Sequence, residues 1–193
     1  MTELIILRHG PTAWNAERRL QGSIDEPLSD AGRARVAGWR LPQDARSYRW
    51  VASPKRRAWE TARLLGLDPT PEPRLVEMNW GDWEGRLLDD LRAGGLLSAE
   101  HERMGLDFRP PGGESPRDVQ NRLKPWLAEV AAEGRATGAV AHNGVMRALY
   151  ALATGWDMVA KPADRLVDGC LHRFRLSPDG TPTVVAMNVS IAE

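Results

Sequence analysis

The stretch Leu4-Ile5-Ile6-Leu7-Arg8-His9-Gly10 is a short apolar run that stops abruptly on a cation and an imidazole. A run of this kind reads as a buried strand of a parallel sheet. Open α/β sheets bind their ligands just beyond the carboxyl ends of such strands, so Arg8 and His9 are expected at a reactive sheet edge. Gly10, directly after them, lets the backbone turn sharply or a ligand come close.

Outward from this run, strand and helix alternate. Pro27-Leu28-Ser29-Asp30-Ala31-Gly32 is a turn feeding a helix that Ser29 caps and that extends to about Leu41. A strand at about Arg49–Ala52 follows, and Ser53-Pro54 opens a helix through Leu65, since proline suits the first helical position. A further strand is expected near Arg74–Glu77. Residues 86–113 contain Gly94-Gly95 and close on Pro110-Pro111-Gly112-Gly113, which reads as an inserted cap with short helical pieces. Ser115 and Asp118 resemble a capping box at the start of a long helix to about Glu133. Thr137–Ala141 is another strand, ended by His142-Asn143-Gly144 and followed by a helix to about Ala153. A loop over 155–169 leads to strands near Leu171–Leu176 and Thr183–Val189. The pattern predicts a single α/β domain over residues 1–193, with a mainly parallel central sheet and helices on both faces.

Three strand-to-helix junctions then carry the chemistry: Arg8-His9-Gly10, Ser53-Pro54-Lys55-Arg56-Arg57, and Ala141-His142-Asn143-Gly144. In a parallel sheet they emerge at one edge. With Ser53 as cap, Lys55, Arg56 and Arg57 would occupy the first helical turn, where each cation opposes the helix dipole at roughly 0.3–1 kcal/mol. A local rule broken repeatedly marks a functional site, and a bound anion would resolve the conflict, because helix N-termini favour phosphate. A solvated basic turn is the plainer alternative. His101 and His172 lie outside any such junction and receive no role.

Composition narrows the partners. Of 193 residues, 42% are hydrophobic and 27% charged, ordinary for a globular protein. Twenty-six basic residues balance 26 acidic ones, so nothing global points to nucleic acid or an anionic membrane. The single cysteine, Cys170, rules out an intrachain disulfide framework and fits a reducing compartment. No targeting segment and no run of roughly 18–20 apolar residues is present, so a cytoplasmic protein without membrane contact is expected. No His/Asp/Glu cluster has metal-ligand spacing, and neither Gly-rich nucleotide fingerprint occurs, so no metal and no cofactor is expected.

With these residues in hand, the chain resembles the histidine phosphatase (phosphoglycerate mutase-like) superfamily. The matching segments are Leu7 through Asn15, Leu20-Gln21-Gly22, Pro27 through Gly32, and Ser53 through Ala62. Leu75-Val76-Glu77 with Gly81 through Gly85, Pro111 through Ser115, and His142 through Arg147 also match. They cover most of the chain in order. The resemblance implies a three-layer sandwich and hydrolysis of a small phosphorylated metabolite through a phosphohistidine on His9. It makes Arg8, Asn15, Arg57, His142 and Asn143 the phosphate-binding set, and Glu77 the acid that protonates the leaving oxygen. Glu84 is the competing carboxylate. Thr12, Trp14, Gln21, Gly22 and Trp80 are candidate pocket residues, although Trp14, Trp80 and Trp83 could equally pack the cap against the sheet.

The chain departs from the family pattern at Pro11, Lys55, Glu60 and Asn143, none of them a catalytic group. After Glu77 the mutases of this superfamily carry a basic-aromatic stretch. Here Met78-Asn79-Trp80-Gly81-Asp82-Trp83 has no cation until Arg86. A sparsely cationic pocket is therefore expected, which favours hydrolysis over a phosphomutase. A non-catalytic relative that binds phosphorylated ligands or a protein partner is the remaining alternative. A monomer and a homodimer are both compatible with the sequence.

Overall fold

In the computed structural model, which describes residues 1–191, the opening run becomes strand β1 (Thr2–Arg8). Its alternate side chains enter two different cores. Leu4 and Ile6 join one apolar cluster, and Ile5 and Leu7 join another. Each fully buried Leu or Ile contributes roughly 1.5–3 kcal/mol, so the strand that carries His9 at its end is anchored from both faces.

The chain continues through α1 (Ala13–Glu17), α2 (Asp30–Ala37), β2 (Arg49–Ala52), α3 (Arg56–Leu64) and β3 (Thr70–Pro71). Helices α4 (Leu88–Ala93) and α5 (Ala99–Arg103) precede the long α6 (Pro116–Glu133). Then come β4 (Thr137–Ala141), α7 (Asn143–Thr154), β5 (Cys170–Leu176) and β6 (Pro182–Ser190). The six strands lie in the order β3-β2-β4-β1-β5-β6. β1, β2, β3 and β4 pair in parallel, while β5 and β6 run antiparallel on one edge. Leu123, Trp126 and Leu127 of α6 and Leu149 of α7 cover the face bearing Leu4 and Ile6. Val36 of α2 with Ala58 and Ala62 of α3 covers the other. This is the α/β sandwich that the alternation predicts.

β4 arrives late in sequence but inserts between β1 and β2, with Arg8 opposite Ala141 and Ala52 opposite Val140. The three junctions therefore lie side by side, His142 between His9 and Ser53. A third, small cluster of Trp83, Leu91 and Phe108 forms where α4 and the 105–108 segment fold back. Among the described residues no helix is long and apolar enough to cross a membrane.

Several expected boundaries move. Ser29 does cap α2, accepting from the Gly32 N–H at 3.0 Å, but that helix ends at Ala37 rather than near Leu41. The strand expected at Arg74–Glu77 is absent. Pro73–Leu75 is a 3-10 turn capped by Glu72, and the edge strand is the two-residue β3. Helix α1 carries no apolar periodicity that would announce it. Its capping box is formed by Thr12 and Asn15.

Ser53 does not cap α3. The helix begins at Arg56, and the carboxylate of Asp25, from a distant loop, accepts the Arg56 N–H at 2.7 Å. The acid missing from the local sequence is thus supplied by tertiary contact, and it meets the dipole conflict that the sequence assigned to a ligand.

Candidate active site

His9 follows β1 and extends its pairing, its N–H donating to the Ala141 carbonyl at 3.0 Å. The side chain is buried, and its Nδ1 lies 2.7 Å from the Gly10 carbonyl. A carbonyl can only accept, so Nδ1 carries the proton and Nε2 the lone pair. Burial pushes the imidazole pKa well below its usual value, and the cations Arg8 and Arg57 push it further. His9 is therefore neutral at pH 7 with Nε2 available as a nucleophile. Gly10 is itself fixed, since its N–H donates to Thr61 Oγ1 at 2.8 Å. A Cβ at Gly10 would lie 2.3 Å from Val36 on α2, so only glycine lets the helix approach the loop that orients the ring.

Beside it, the buried Arg57 guanidinium is held in a fixed fork. Nε donates to His142 Nδ1 at 3.2 Å, Nη1 to the Ile24 carbonyl at 2.8 Å, and Nη2 to the Gly22 carbonyl at 3.0 Å. Arginine carries five N–H donors, so one hydrogen on each terminal nitrogen is left without a protein acceptor.

His142 is fully buried, its ring 5.1 Å from that of His9. Because Nδ1 accepts from Arg57, Nε2 bears the proton and donates to Ser53 Oγ at 2.8 Å. Burial first, then His9 and the arginines, hold this second imidazole neutral. Ser53, expected as a helix cap, instead fixes the His142 tautomer. Arg8 donates through Nη1 to both oxygens of Asp168 at 2.8 Å, while its buried Nε has no partner. An orphaned buried donor next to a nucleophile is the kind of exception that an anionic ligand explains.

The two competing carboxylates separate cleanly. Glu77 accepts the Met78 N–H at 2.8 Å and the Gly144 N–H at 3.0 Å, at the start of α7, and its side chain lines the cleft. Glu84 holds a loop together, accepting from the Ser23 N–H at 2.6 Å and the Ser23 hydroxyl at 2.7 Å. The segment bearing Glu77 is braced by two residues to which the sequence gave no role. Arg122 donates to the Val76 carbonyl at 2.7 Å, and Glu114 accepts the Asn79 N–H at 3.0 Å.

Arg8, His9, Asn15, Gln21, Gly22, Arg57, Glu77, Trp80 and Asn143 all border one cleft of about 570 Å³. Two pocket candidates do not line it, and neither does His142, expected to bind phosphate, which is fully buried with both ring nitrogens spent on Arg57 and Ser53. Thr12 is buried, its hydroxyl accepting from Gln21 Nε2 at 2.9 Å, and Trp14 packs over Gly85. Asn15 spends its amide oxygen on the Thr12 N–H at 3.0 Å, which leaves its amide nitrogen for a ligand. Trp83 packs on Phe108, ring centroids 5.7 Å apart, within the small cap cluster. The cleft is not sparse in cations, contrary to expectation, since Arg19, Arg92, Arg147 and Lys161 also border it. They come from the segment after α1, from α4 and α7, and from the 155–169 loop, which no local motif links.

A sequence model of the histidine phosphatase superfamily (branch 1) matches residues 4–190. The chain belongs to this family. It is 37% identical over 168 residues to glucosyl-3-phosphoglycerate phosphatase of Mycobacterium tuberculosis, covering 77% of this chain and 73% of that one. It is 32% identical over 193 residues to the 2,3-bisphosphoglycerate-dependent phosphoglycerate mutase of Methylobacterium radiotolerans, covering 92% and 91%. A solved structure of the mycobacterial glucosyl-3-phosphoglycerate phosphatase with VO3 superposes with a TM-score of 0.82 at 29% identity, over 100% of both chains. The protein is thus a phosphatase-type enzyme of the histidine phosphatase superfamily. Among its described residues no group of three or more His, Cys, Asp or Glu side chains is placed to hold a metal ion.

Proposed function

We propose that this enzyme hydrolyses a small phosphomonoester without a metal, through a phosphohistidine on His9. The observation that carries the reading is the tautomer of His9. Its unprotonated Nε2 belongs to a cleft that Arg8, Arg57 and Glu77 also line. Nε2 attacks phosphorus and the bond to the leaving oxygen breaks, while Glu77 as the acid gives that oxygen its proton. The Glu77 carboxylate then takes a proton from water, which attacks phosphorus, releases phosphate and restores His9. Phosphoryl transfer depends chiefly on positioning and charge stabilisation, and Arg8, Arg57 and the Asn15 amide supply both. His142 holds Arg57 in place.

A cytoplasmic setting accords with the lone, buried Cys170. A phosphomutase is the second reading, favoured by the additional cleft cations and by the relative named as a mutase.

The test is turnover of 4-nitrophenyl phosphate in excess EDTA by wild type and His9→Ala, with acid-labile phosphoenzyme trapped by rapid quench. Chelator-resistant activity and a trapped intermediate that both vanish with His9 are expected. Turnover that persists in His9→Ala, or is lost to EDTA, sinks the mechanism. Phosphate appearing on an added alcohol or phosphate acceptor, rather than free in solution, selects the mutase.

A further inference from the structure

Glu84, the carboxylate that competes with Glu77 in the sequence, does not border the cleft, yet a single peptide unit connects it to Arg57. Its Oε1 accepts the Ser23 N–H at 2.6 Å. The carbonyl of that same peptide unit, on Gly22, accepts from Arg57 Nη2 at 3.0 Å. The unit is trans and planar, so its N–H and C=O point in opposite directions. An anion and a cation therefore grip the two ends of one dipole. Each polarises the peptide for the other, and together they fix how its plane is turned. Ile24 continues the arrangement, its N–H closing the turn onto the Gln21 carbonyl at 3.2 Å while its own carbonyl accepts from Arg57 Nη1 at 2.8 Å.

Glu84 is itself anchored. Its Oε1 also accepts the Trp80 N–H at 3.2 Å, and its Oε2 the Ser23 hydroxyl at 2.7 Å. It directly follows the 3-10 turn Gly81–Trp83, which is held by the Asp82 N–H on the Pro111 carbonyl at 2.9 Å and by Trp83 in the cap cluster. Gly22 has φ 56°, and a Cβ there would lie 2.0 Å from Glu84 Oε1. Only glycine admits both that backbone and so close a carboxylate. Lys55 Nζ donates to the Ser23 carbonyl and steadies the turn as a whole, whereas Glu84 holds the peptide that presents the Gly22 carbonyl.

Arg57 depends on such support. It is fully buried, and its Nε, Nη1 and Nη2 donate to one neutral imidazole and two carbonyls. The direction of its fork is thus set by where those carbonyls stand. Resting on the phosphohistidine reading, in which Arg57 binds the phosphoryl group, we propose that Glu84 is a positioning residue. Through the Gly22–Ser23 peptide it aims the Arg57 guanidinium, and it takes no part in the bond exchange. A change at Glu84 then weakens phosphoryl binding alike for every leaving group, unlike a change at the acid Glu77.

The test compares wild type with Glu84→Ala and Glu84→Gln. Inhibition by orthovanadate and by inorganic phosphate is read together with kcat and KM for 4-nitrophenyl phosphate and an alkyl phosphate, and with thermal unfolding. Glu84→Ala should raise KM and both inhibition constants about tenfold, the scale of a hydrogen bond to a charged group, and equally for both esters. Glu84→Gln keeps an acceptor for the Ser23 N–H but loses the charge, so the rise should shrink to about threefold.

Unchanged KM and inhibition constants in Glu84→Ala, whatever its melting temperature, make Glu84 a loop staple and overturn the inference. A loss confined to the alkyl ester puts Glu84 at the leaving oxygen and overturns it too. If Glu84→Ala does not fold, Glu84→Gln decides: the threefold rise supports the inference and unchanged constants overturn it. If wild type turns over neither ester, the phosphatase reading has failed. Calorimetric titration with inorganic phosphate then decides the positioning role alone, weaker binding by the Glu84 variants supporting it and equal or absent binding overturning it.

Discussion

Gly144→Ala isolates the contribution of Glu77 without touching the carboxylate itself. A Cβ built at Gly144 lies 2.4 Å from Glu77 Oε1 and 3.1 Å from the Met78 Cβ. Ordinary carbon–oxygen contact needs roughly 3.4 Å, so the carboxylate must retreat by about 1 Å. Movement on that scale at a reacting group costs on the order of 100-fold in rate. Gly144 lies in the first turn of α7, where alanine is the better helix former by roughly 0.8–1 kcal/mol. The variant should therefore fold with nearly unchanged stability.

The assay is kcat/KM over a leaving-group series from 4-nitrophenyl phosphate to simple alkyl phosphates, read together with thermal unfolding. A group that protonates the leaving oxygen matters most where departure is difficult. The loss should reach about 100-fold for alkyl phosphates and stay within a few-fold for the nitrophenyl ester. Uniform losses across the series, or alkyl phosphates turned over at the wild-type rate, would refute the acid role given to Glu77.

His172 is buried, and burial pushes its pKa down to about 4, with Asp168 opposing. Its native value lies below the unfolded one near 6.5, so its contribution is complete above that pH and is lost as pH falls toward 4. The loss is about 2 kcal/mol by pH 5. His172→Leu should flatten the urea-melt stability curve by that amount between pH 8 and pH 5, and an unchanged slope would contradict the assignment. Asp168→Asn releases Arg8 from its carboxylate; the exposed pair is worth at most about 1 kcal/mol. KM for 4-nitrophenyl phosphate should fall by up to about fivefold, and a rise would show that Asp168 instead orients Arg8 for substrate. Asp25→Ala removes the remote cap of α3 and should cost about 1 kcal/mol in denaturant unfolding, against no change if Arg56 finds another acceptor.

The sequence by itself determined the elements whose cause is local. The apolar run of β1 and the serine caps of α2 and α6 act through neighbours a few residues away, and so are legible in one dimension. The ordered motifs pointed to His9, Arg57 and His142 for the same reason, each at a strand-to-helix junction that a parallel sheet aligns, whereas Glu77 reaches the cleft from a segment that forms no strand. Where a cause lay far along the chain, local reading failed. The acid that caps α3 sits 31 residues upstream, and one of the two N–H groups that hold Glu77 is 67 residues away. Tertiary structure alone also decided that Ser53 fixes the His142 tautomer, that Thr12 turns inward, and that Arg35, Arg147, Lys161 and Arg165 line one hollow. Cations at scattered positions leave no periodic or capping signature, and only the folding of α2, α7 and the 155–169 loop onto one edge concentrates their charge.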